Sequence, residues 1–315
     1  MVGLAECMFL VLSLAQFSLG LLANGFVGLV SVRYWIKSKR VSLRDFIVIS
    51  LAFSKIFLLS LLLVDSALLV FSPKEHGSGV FMQAIDVFWT FSNHLNVWLV
   101  TCLGVLYCLK IATFSQPAFL WLKWRGSRVV IWLLLGALLF SCSRVASLTL
   151  EFKVYADWSR SSDTENATES DRKKRKYMLL HSLSNLWNLP PLLLLLASCF
   201  LLLLSLGRHT RRMQHMGASR RDLSIEAHRR AIRVILSFSL LFLLYFLAFH
   251  IASFSRFLPQ TKVAIMTGEA ITMLYLAGHS FILILGSTKL KQAFVELLLC
   301  ECVHLRPRTV GPFSP

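Results

Sequence analysis

Residues 86 to 98, which read DVFWTFSNHLNVW, place polar side chains inside a strongly apolar stretch of the chain. At 100° per residue, Asp86, Trp89, Asn93 and Asn96 fall within an arc of about 80° on one face of a helix. Groups that donate and accept hydrogen bonds inside a membrane face the interior of a helix bundle. The stripe therefore predicts either a ligand cavity or contacts that only hold helices together.

Further polar groups occur at the corresponding ends of other apolar runs. Asn188 precedes Pro190-Pro191, His250 lies near the end of a later run, and Glu269 lies early in the last one. A carboxylate inside a membrane segment is a candidate functional group. Together with the stripe, these side chains predict a water-accessible cavity that binds a ligand. His94 lies off the stripe and is expected to bond a neighbouring helix.

The composition identifies the elements that must position these groups. Of the 315 residues, 56% are hydrophobic and only 16% are charged, and the mean hydropathy is +0.65. Soluble domains carry about 25% charged residues, so the excess apolar surface requires a lipid bilayer. The net charge of +17 would suggest nucleic acid for a soluble protein. Here the basic residues lie between apolar runs, where they orient a membrane protein, and no nucleic-acid partner is expected.

Seven apolar runs are long enough to cross a bilayer, which requires about 20 residues each. The fold class predicted is an all-α membrane protein, a bundle of seven transmembrane helices forming one domain at 1–285. The remainder, 286–315, is predicted to be a cytoplasmic tail. The predicted spans are 7–32, 46–71, 82–110, 129–148, 181–207, 231–255 and 263–285.

The distribution of Lys and Arg predicts that the N-terminus lies outside the cell. That orientation places 21 of the 33 basic residues in or next to cytoplasmic loops. The basic run at 172–176 opposes it, but six acidic residues share its loop at 149–180. The same loop contains Asn166-Ala167-Thr168, an N-glycosylation sequence that can be used only on the lumenal side. We therefore predict an extracellular loop with Asn166 as its glycosylation site.

A second polar cluster is predicted nearer the cytoplasmic face. Asn24 and Lys55 each lie about 14 Å from that face at 1.5 Å per residue, and Ser280 lies at a comparable level. A lone lysine at the bilayer centre costs about 2.5–3.5 kcal/mol on insertion scales. We expect Asn24, Lys55 and Ser280 to form an interhelical clasp, which is either a switch or simple structural glue.

Positive charge is concentrated where the fifth and sixth runs meet the cytoplasm. Anionic lipid headgroups would be attracted to such residues, and so would an acidic or carboxylate-bearing protein partner. The residues concerned are Arg208, His209, Arg229 and Arg230.

Elimination favours a receptor among seven-helix membrane proteins. The last run, 263–285, has no lysine for a retinal Schiff base, and no HExxH or other catalytic, metal-ligand or cofactor spacing is present. The sequence therefore indicates neither an enzyme, nor a metal, nor a cofactor. We find no internal repeat of the transporter kind. A transporter or channel that uses the polar stripe of the third run as its pathway remains the alternative.

Four motifs resemble those of the bitter taste receptor (taste receptor type 2) family. They are LYCLKIA (106–112), SLGRHT (205–210), HRRAIRVILSFSLLFLLY (228–245) and HSFILILGSTKLKQ (279–292). The resemblance implies a multi-pass G protein-coupled receptor of the plasma membrane. It implies small bitter agonists in the outer half of the bundle, and a gustducin-type Gα with its βγ subunits as the partner.

The resemblance also assigns roles to individual residues. It implies that Trp89, Asn93 and Glu269 contact agonists, in agreement with the stripe. It places a second set at positions associated with activation or G-protein coupling: Tyr107, Lys110, His209, Tyr245 and Ser280. Two residues depart from the family pattern. Lys55 stands where arginine is usual, although lysine cannot reproduce a bidentate guanidinium contact, and Ser287 stands where asparagine is frequent.

Overall fold

The computed structural model is almost entirely helical in the residues that it describes. These are 3–39, 42–73, 76, 79–162, 167–214, 221–254 and 261–304. Within these ranges, side chains are described except at 161–167, 209–210, 212–214, 221–231, 261 and 298–304. The predicted glycosylation site, Asn166, lies outside the described residues.

Seven helices in the described part of the chain are long and apolar enough to cross a membrane, which confirms the predicted seven-helix membrane bundle. The fifth of them is built from two helices joined by a 3-10 turn. In chain order the spanning helices are Leu4–Ser38, Leu43–Phe71, Val80–Ile111, Gly126–Ser162, Ala167–Asn185 with Leu186–Asn188 and Leu189–Gln214, Arg221–Ser253, and Thr261–Gly286. Two non-spanning helices are Pro117–Trp124 and Thr288–His304.

Local chemistry explains where several of these helices begin and end. The first ends at Lys39, whose left-handed backbone (φ 52°) lets its N–H bond the carbonyl of Trp35. The second begins at Ser42, whose hydroxyl accepts the N–H of Asp45 at 3.2 Å. Because six of the seven predicted apolar runs lie wholly inside their helices, the runs located the spans and underestimated their length.

The bundle turns many large apolar side chains outward and packs others at its centre. Leu22, Trp132 and Leu139 are each more than two-thirds exposed, as expected for a surface that contacts lipid. Leu58 and Phe242 have no exposed surface and lie in one continuous core that links the second, third, fifth, sixth and seventh helices. We call the end of the bundle where the first helix begins the N-face, and the other end the opposite face.

A break in the fifth helix follows from its two prolines. Pro191 has no N–H to give to the carbonyl of Trp187 four residues earlier. His94 of the third helix supplies the missing donor, with Nε2 at 3.1 Å from that carbonyl oxygen. His94 Nδ1 also lies 3.0 Å from Ser141 Oγ of the fourth helix. His94 thus joins three helices, as its position off the polar stripe predicts.

The predicted loop at 149–180 is wrong in its described part, where the fourth and fifth helices continue into it. Buried charge stabilises this extension: Glu151 accepts Arg144 Nη1 at 3.2 Å and contacts His181 Nδ1 at 2.7 Å. Trp158 and Tyr177 stack beside them, with ring centroids 5.8 Å apart. The segment is too polar to register as an apolar run, yet it is ordered by one buried ion network.

The sixth and seventh helices approach each other closely at Gly268. A Cβ built there would lie 2.4 Å from Cβ of Ala252 and 3.4 Å from the carbonyl oxygen of Ala248. Gly136 of the fourth helix has nothing within 4 Å of the same construction. The two glycines therefore form a matched pair of helical positions, one crowded and one open.

We predict that Gly268→Ala destabilises the protein by about 1–3 kcal/mol, because the added methyl forces the two helices apart. Thermal unfolding of the detergent-purified chain measures the effect. Gly136→Ala is the control, and it should be neutral or stabilising by up to about 1 kcal/mol. Equal melting temperatures for Gly268→Ala and the wild type would contradict the close contact.

Candidate functional site

A cavity of about 200 Å³ opens at the N-face, between the second, third and seventh helices and the extended fourth and fifth. Trp89 and Asp86 line it from the polar stripe of the third helix, and Glu269 lines it from the seventh. The described residues that line the rest of its wall include Asp65, His76, Phe249 and Thr272. Three of the predicted ligand-binding residues therefore share one cavity.

Trp89 and Asn93, one helical turn apart, have different surroundings. The half-buried indole of Trp89 stacks on Phe249 of the sixth helix, with centroids 5.6 Å apart, and its Nε1 has no hydrogen-bond partner among the described residues. Asn93 is buried beneath it, and its Oδ1 accepts the hydroxyl of Tyr245 at 2.8 Å. Trp89 lines the cavity and can meet a ligand directly, whereas Asn93 does not line the cavity and is already bonded.

Glu269 is held in the cavity wall by a neighbour from the second helix. Ser66 Oγ donates to Glu269 Oε2 at 2.7 Å. The other carboxylate oxygen, Oε1, is buried and has no hydrogen-bond partner among the described residues. A buried acceptor without a donor is costly, so this oxygen is available to a donor or a cation that enters the cavity.

Three other predicted ligand contacts do not line this cavity. Asn96 is fully buried deeper in the third helix, and neither of its amide atoms is paired within the described part of the chain. Asn188 is buried in the 3-10 turn of the fifth helix. His250 Nδ1 donates to the carbonyl of Phe246 at 2.9 Å on its own helix. The structure thus separates these three residues from Trp89 and Glu269.

The predicted clasp residues meet at the centre of the bundle. Ser280 Oγ donates to Asn24 Oδ1 at 2.6 Å, and Lys55 Nζ lies 3.4 Å from Ser280 Oγ. Lys55 Nζ also bonds Nδ1 of His279, a residue to which the sequence analysis assigned no role. Asn24 Nδ2 completes the chain by donating to the carbonyl of Gly20 at 2.7 Å. The first, second and seventh helices are joined by this cluster.

An aromatic column fills the space between the N-face cavity and the clasp. Tyr245 of the sixth helix stacks on Tyr275 of the seventh, with centroids 4.4 Å apart and planes at 18°. Tyr245 also contacts Phe249, the partner of Trp89, at 6.2 Å. Tyr275 contacts His279 of the clasp at 6.0 Å. Tyr245, predicted from the family resemblance to act in activation, therefore lies within the column, between Phe249 and Tyr275.

A second cavity, of about 610 Å³, opens at the opposite face. His279 lies at its inner end, and Tyr107, Arg44 and Lys289 are among the side chains that line it. It enters between the third, fifth, sixth and seventh helices, at the end of the bundle where a cytoplasmic partner is expected.

The structure describes the side chains of only some of the residues predicted for G-protein coupling. Tyr107 lines this second cavity. Lys110 is exposed at the end of the third helix, and Arg208 is exposed with its guanidinium 5.7 Å from the ring of Phe114. Ser280 lies in the clasp. The side chains of His209, Arg229 and Arg230 lie outside the described residues.

Sequence reasoning assigned no role to Arg144, Glu151 and His181, although all three line the N-face cavity. The sequence does contain a signal that pairs Arg144 with Glu151. Seven residues separate them, so they fall on one face of a helix two turns apart, and Arg144 interrupts an apolar run. His181 comes from another helix and could not be paired with them by spacing.

We predict that Tyr245→Phe destabilises the protein by about 1–3 kcal/mol, because it leaves Asn93 Oδ1 buried without its donor. In an Asn93→Leu background the same change should cost less, since the acceptor is then absent. Thermal unfolding of the wild type, both single variants and the double variant measures this coupling. If the destabilisation of the double variant equals the sum of the two single variants, the bond between Tyr245 and Asn93 does not contribute to stability.

Comparison with known proteins agrees with this architecture. The family model described as Taste receptor protein (TAS2R) matches residues 1–302. Taste receptor type 2 member 3 of Papio hamadryas is 62% identical over 311 residues, covering 98% of this chain and 99% of that protein. Taste receptor type 2 member 3 of Homo sapiens is 61% identical over 313 residues, and that of Mus musculus 55% over 313 residues, each covering 99% of both chains.

These matches extend over almost the full length of the chain and include all seven spanning helices. Relatives of this kind are multi-pass proteins of the plasma membrane, and they are receptors rather than enzymes. The chain belongs to the taste receptor type 2 family of seven-helix, G protein-coupled bitter taste receptors.

Proposed function

We propose that this receptor binds small bitter compounds in the N-face cavity and activates a gustducin-type heterotrimeric G protein through the cavity at the opposite face. The observation that supports this most is the aromatic column, which places Tyr245 in contact with Phe249 in the wall of one cavity and, through Tyr275, with His279 in the wall of the other. In this proposal the N-face is extracellular, because that orientation places most Lys and Arg residues in the cytoplasm.

The lining of the N-face cavity suits small amphipathic compounds. Trp89 and Phe249 offer apolar aromatic surface, while Trp89 Nε1 and Glu269 Oε1 offer an unused donor and an unused acceptor. Ligand sites of drug-sized molecules are about 300–1,000 Å³, larger than the 200 Å³ described here. An agonist of that size therefore requires the cavity to widen, and separation of Trp89 from Phe249 is the direct way to widen it.

Widening would act on Tyr245. Its hydroxyl bonds Asn93 of the third helix, and its ring lies between Phe249 and Tyr275. A ligand shifts the equilibrium only if it binds one state better than the other. An agonist that draws Asn93 or Phe249 away from Tyr245 favours a state with a different packing of the sixth and seventh helices. We propose that this state parts the fifth and sixth helices at the opposite face.

The cavity at the opposite face suits the C-terminal helix of a Gα subunit. Its volume of about 610 Å³ and its lining by Tyr107, Arg44 and Lys289 offer an apolar cleft with a basic margin. Lys110 and Arg208 are exposed nearby, so they can attract an acidic or carboxylate-bearing helix. The side chains of His209, Arg229 and Arg230 are expected to extend this basic rim.

The alternative function, a transporter or channel, is not favoured. A pathway requires a polar lining through both halves of the bundle. Between the two cavities Phe242, Tyr245 and Tyr275 are fully buried and packed against one another. A permeating solute would have to displace this column.

We predict that Trp89→Ala raises the agonist EC50 by about 10-fold to 100-fold, since a stacked indole contributes more than about 1.4 kcal/mol. Asn93→Ala is expected to raise it as well, through the loss of both its amide and its hold on Tyr245. Calcium release in cells that co-express a gustducin-chimeric Gα, tested with a broad panel of bitter compounds, measures the response. Phe88→Ala, which removes an exposed aromatic side chain next to Trp89, is the control. Unchanged curves for Trp89→Ala across several agonists, at equal surface expression, would exclude this cavity.

A separate prediction concerns the partner at the opposite face. Charge reversal in Lys110→Glu with Arg208→Glu should lower the maximal response and leave the EC50 nearly unchanged, because the agonist site is intact while Gα docking is weakened. Arg160→Glu is the control: its side chain is equally exposed but lies at the N-face. If Arg160→Glu and the double variant reduce the maximal response equally, docking at this rim is wrong.

A further inference from the structure

Three side chains with metal-ligand chemistry meet at the rim of the N-face cavity from three separate segments. Asp65 comes from the second helix, His76 from the connection between the second and third helices, and Glu269 from the seventh helix. One ligand atom of each lies within 4.8 Å of the other two. The sequence gives no spacing signal for this cluster, because its members are far apart along the chain.

The contact between Asp65 and His76 has the geometry of neighbouring ligands. His76 Nε2 lies 3.1 Å from Asp65 Oδ1, yet Asp65 Oδ1 is buried and has no hydrogen-bond partner among the described residues. The two atoms are therefore close without a well-aligned N–H···O bond. Ligands of one tetrahedral zinc ion, bound at about 2.0–2.2 Å, lie about 3.3–3.5 Å apart.

Glu269 supplies the independent observation. Its side chain is only 7% exposed, one of its carboxylate oxygens belongs to the cluster, and Oε1 has no hydrogen-bond partner in the described part of the chain. Ser66 holds the other oxygen at 2.7 Å, the type of outer contact that orients a metal-bound carboxylate. A buried, oriented and unpaired carboxylate oxygen is suited to bind a cation.

Two described cations at this end of the bundle are engaged elsewhere: Lys262 pairs with Glu6, and Arg144 pairs with Glu151. Among the described residues, the two carboxylates of the cluster therefore share one imidazole, which supplies at most a single positive charge. A divalent ion would neutralise both.

We propose that Asp65, His76 and Glu269 form a binding site for a divalent transition-metal ion of the Zn²⁺ type. One imidazole nitrogen and two carboxylate oxygens suit Zn²⁺, whereas Mg²⁺ and Ca²⁺ prefer oxygen ligands alone. Three protein ligands leave a fourth position for water or for a donor atom of a bound compound. An ion held here ties the connection at His76 to the second and seventh helices at the entrance of the cavity.

Direct titration of Zn²⁺ into the purified full-length receptor in detergent, against a fluorescent zinc indicator, tests the site. His76→Ala and Glu269→Gln should each lose one Zn²⁺ site, or at least about 10-fold in its affinity. His76→Cys should retain it, because a thiolate is also a zinc ligand. His250→Ala and Glu6→Gln remove a histidine and a carboxylate that lie outside the cluster, so they should bind as the wild type does.

Thermal unfolding curves establish that each variant is folded before the titrations are compared. If folded His76→Ala and Glu269→Gln bind Zn²⁺ with the stoichiometry and affinity of the wild type, the proposal is overturned. Unchanged binding in these variants would mean that the Zn²⁺ is held by other histidines and cysteines.

An effect on signalling rests on the proposed function. External Zn²⁺ neutralises Glu269 and should raise the EC50 of agonists that contact it, in the wild type but not in His76→Ala. Because the binding titration contains no agonist, it tests the metal site independently of the proposed agonist cavity. Loss of Zn²⁺ binding in the variants without any effect of Zn²⁺ on agonist responses supports the metal site and contradicts the agonist cavity.

Discussion

The buried ammonium of Lys55 is the constraint on which the arrangement of the bundle depends. Its side chain has no exposed surface, and an ammonium has three donors and no acceptor. His279 and Ser280 of the seventh helix receive it, and Ser280 passes the interaction on to Asn24 of the first helix. Leaving a buried donor without its acceptor costs about 1–3 kcal/mol, and more if the donor is charged. The register of three helices is therefore set by one side chain, and the other helices pack around that frame.

The same requirement for partners accounts for much of the remaining interior, and its exceptions are informative. His94 bonds the carbonyl of Trp187, which a proline leaves without a donor. The carboxylate of Glu151 contacts both Arg144 and His181. Three buried polar atoms without partners among the described residues line the N-face cavity. They are Asp65 Oδ1, Trp89 Nε1 and Glu269 Oε1. Unsatisfied groups are costly in a core, so their concentration in one cavity indicates a place where water, a ligand or an ion completes the bonding.

How much of this could be predicted from the sequence depends on whether a feature is set by one helix or by several. The seven spans and the depth of Asn24, Lys55 and Ser280 follow from helical rise and apolar length, and the structure brings those three side chains together. The face shared by Asp86 and Trp89 also follows from helical period. Asn96 lies on the same predicted face, but it is buried below the cavity, because period fixes direction around a helix and not the depth of an opening.

Features that depend on contacts between several segments could not be predicted from the sequence. The helical extension through 149–162 has no apolar run, and it is ordered by a buried network with His181 from another helix. Likewise His76, which follows the second helix, lies beside Asp65 of that helix and Glu269 of the seventh, which is far away along the chain. No spacing rule for a single helix contains that information.

The link between the two cavities explains how a rigid clasp and a switch can coexist in one bundle. Lys55 joins the first, second and seventh helices. Tyr245 belongs to the sixth helix, which meets the clasp through Phe238, whose ring centroid lies 4.9 Å from that of His279. The sixth helix thus meets the clasp through an aromatic ring and bonds Asn93 of the third helix through one hydroxyl, and it also packs closely on the seventh helix at Gly268. Aromatic pairs contribute about 0.5–1.5 kcal/mol each beyond their burial, less than a buried charge network. In the function proposed above, a ligand at Trp89 acts on the aromatic contacts of the sixth helix rather than on the hydrogen bonds around Lys55.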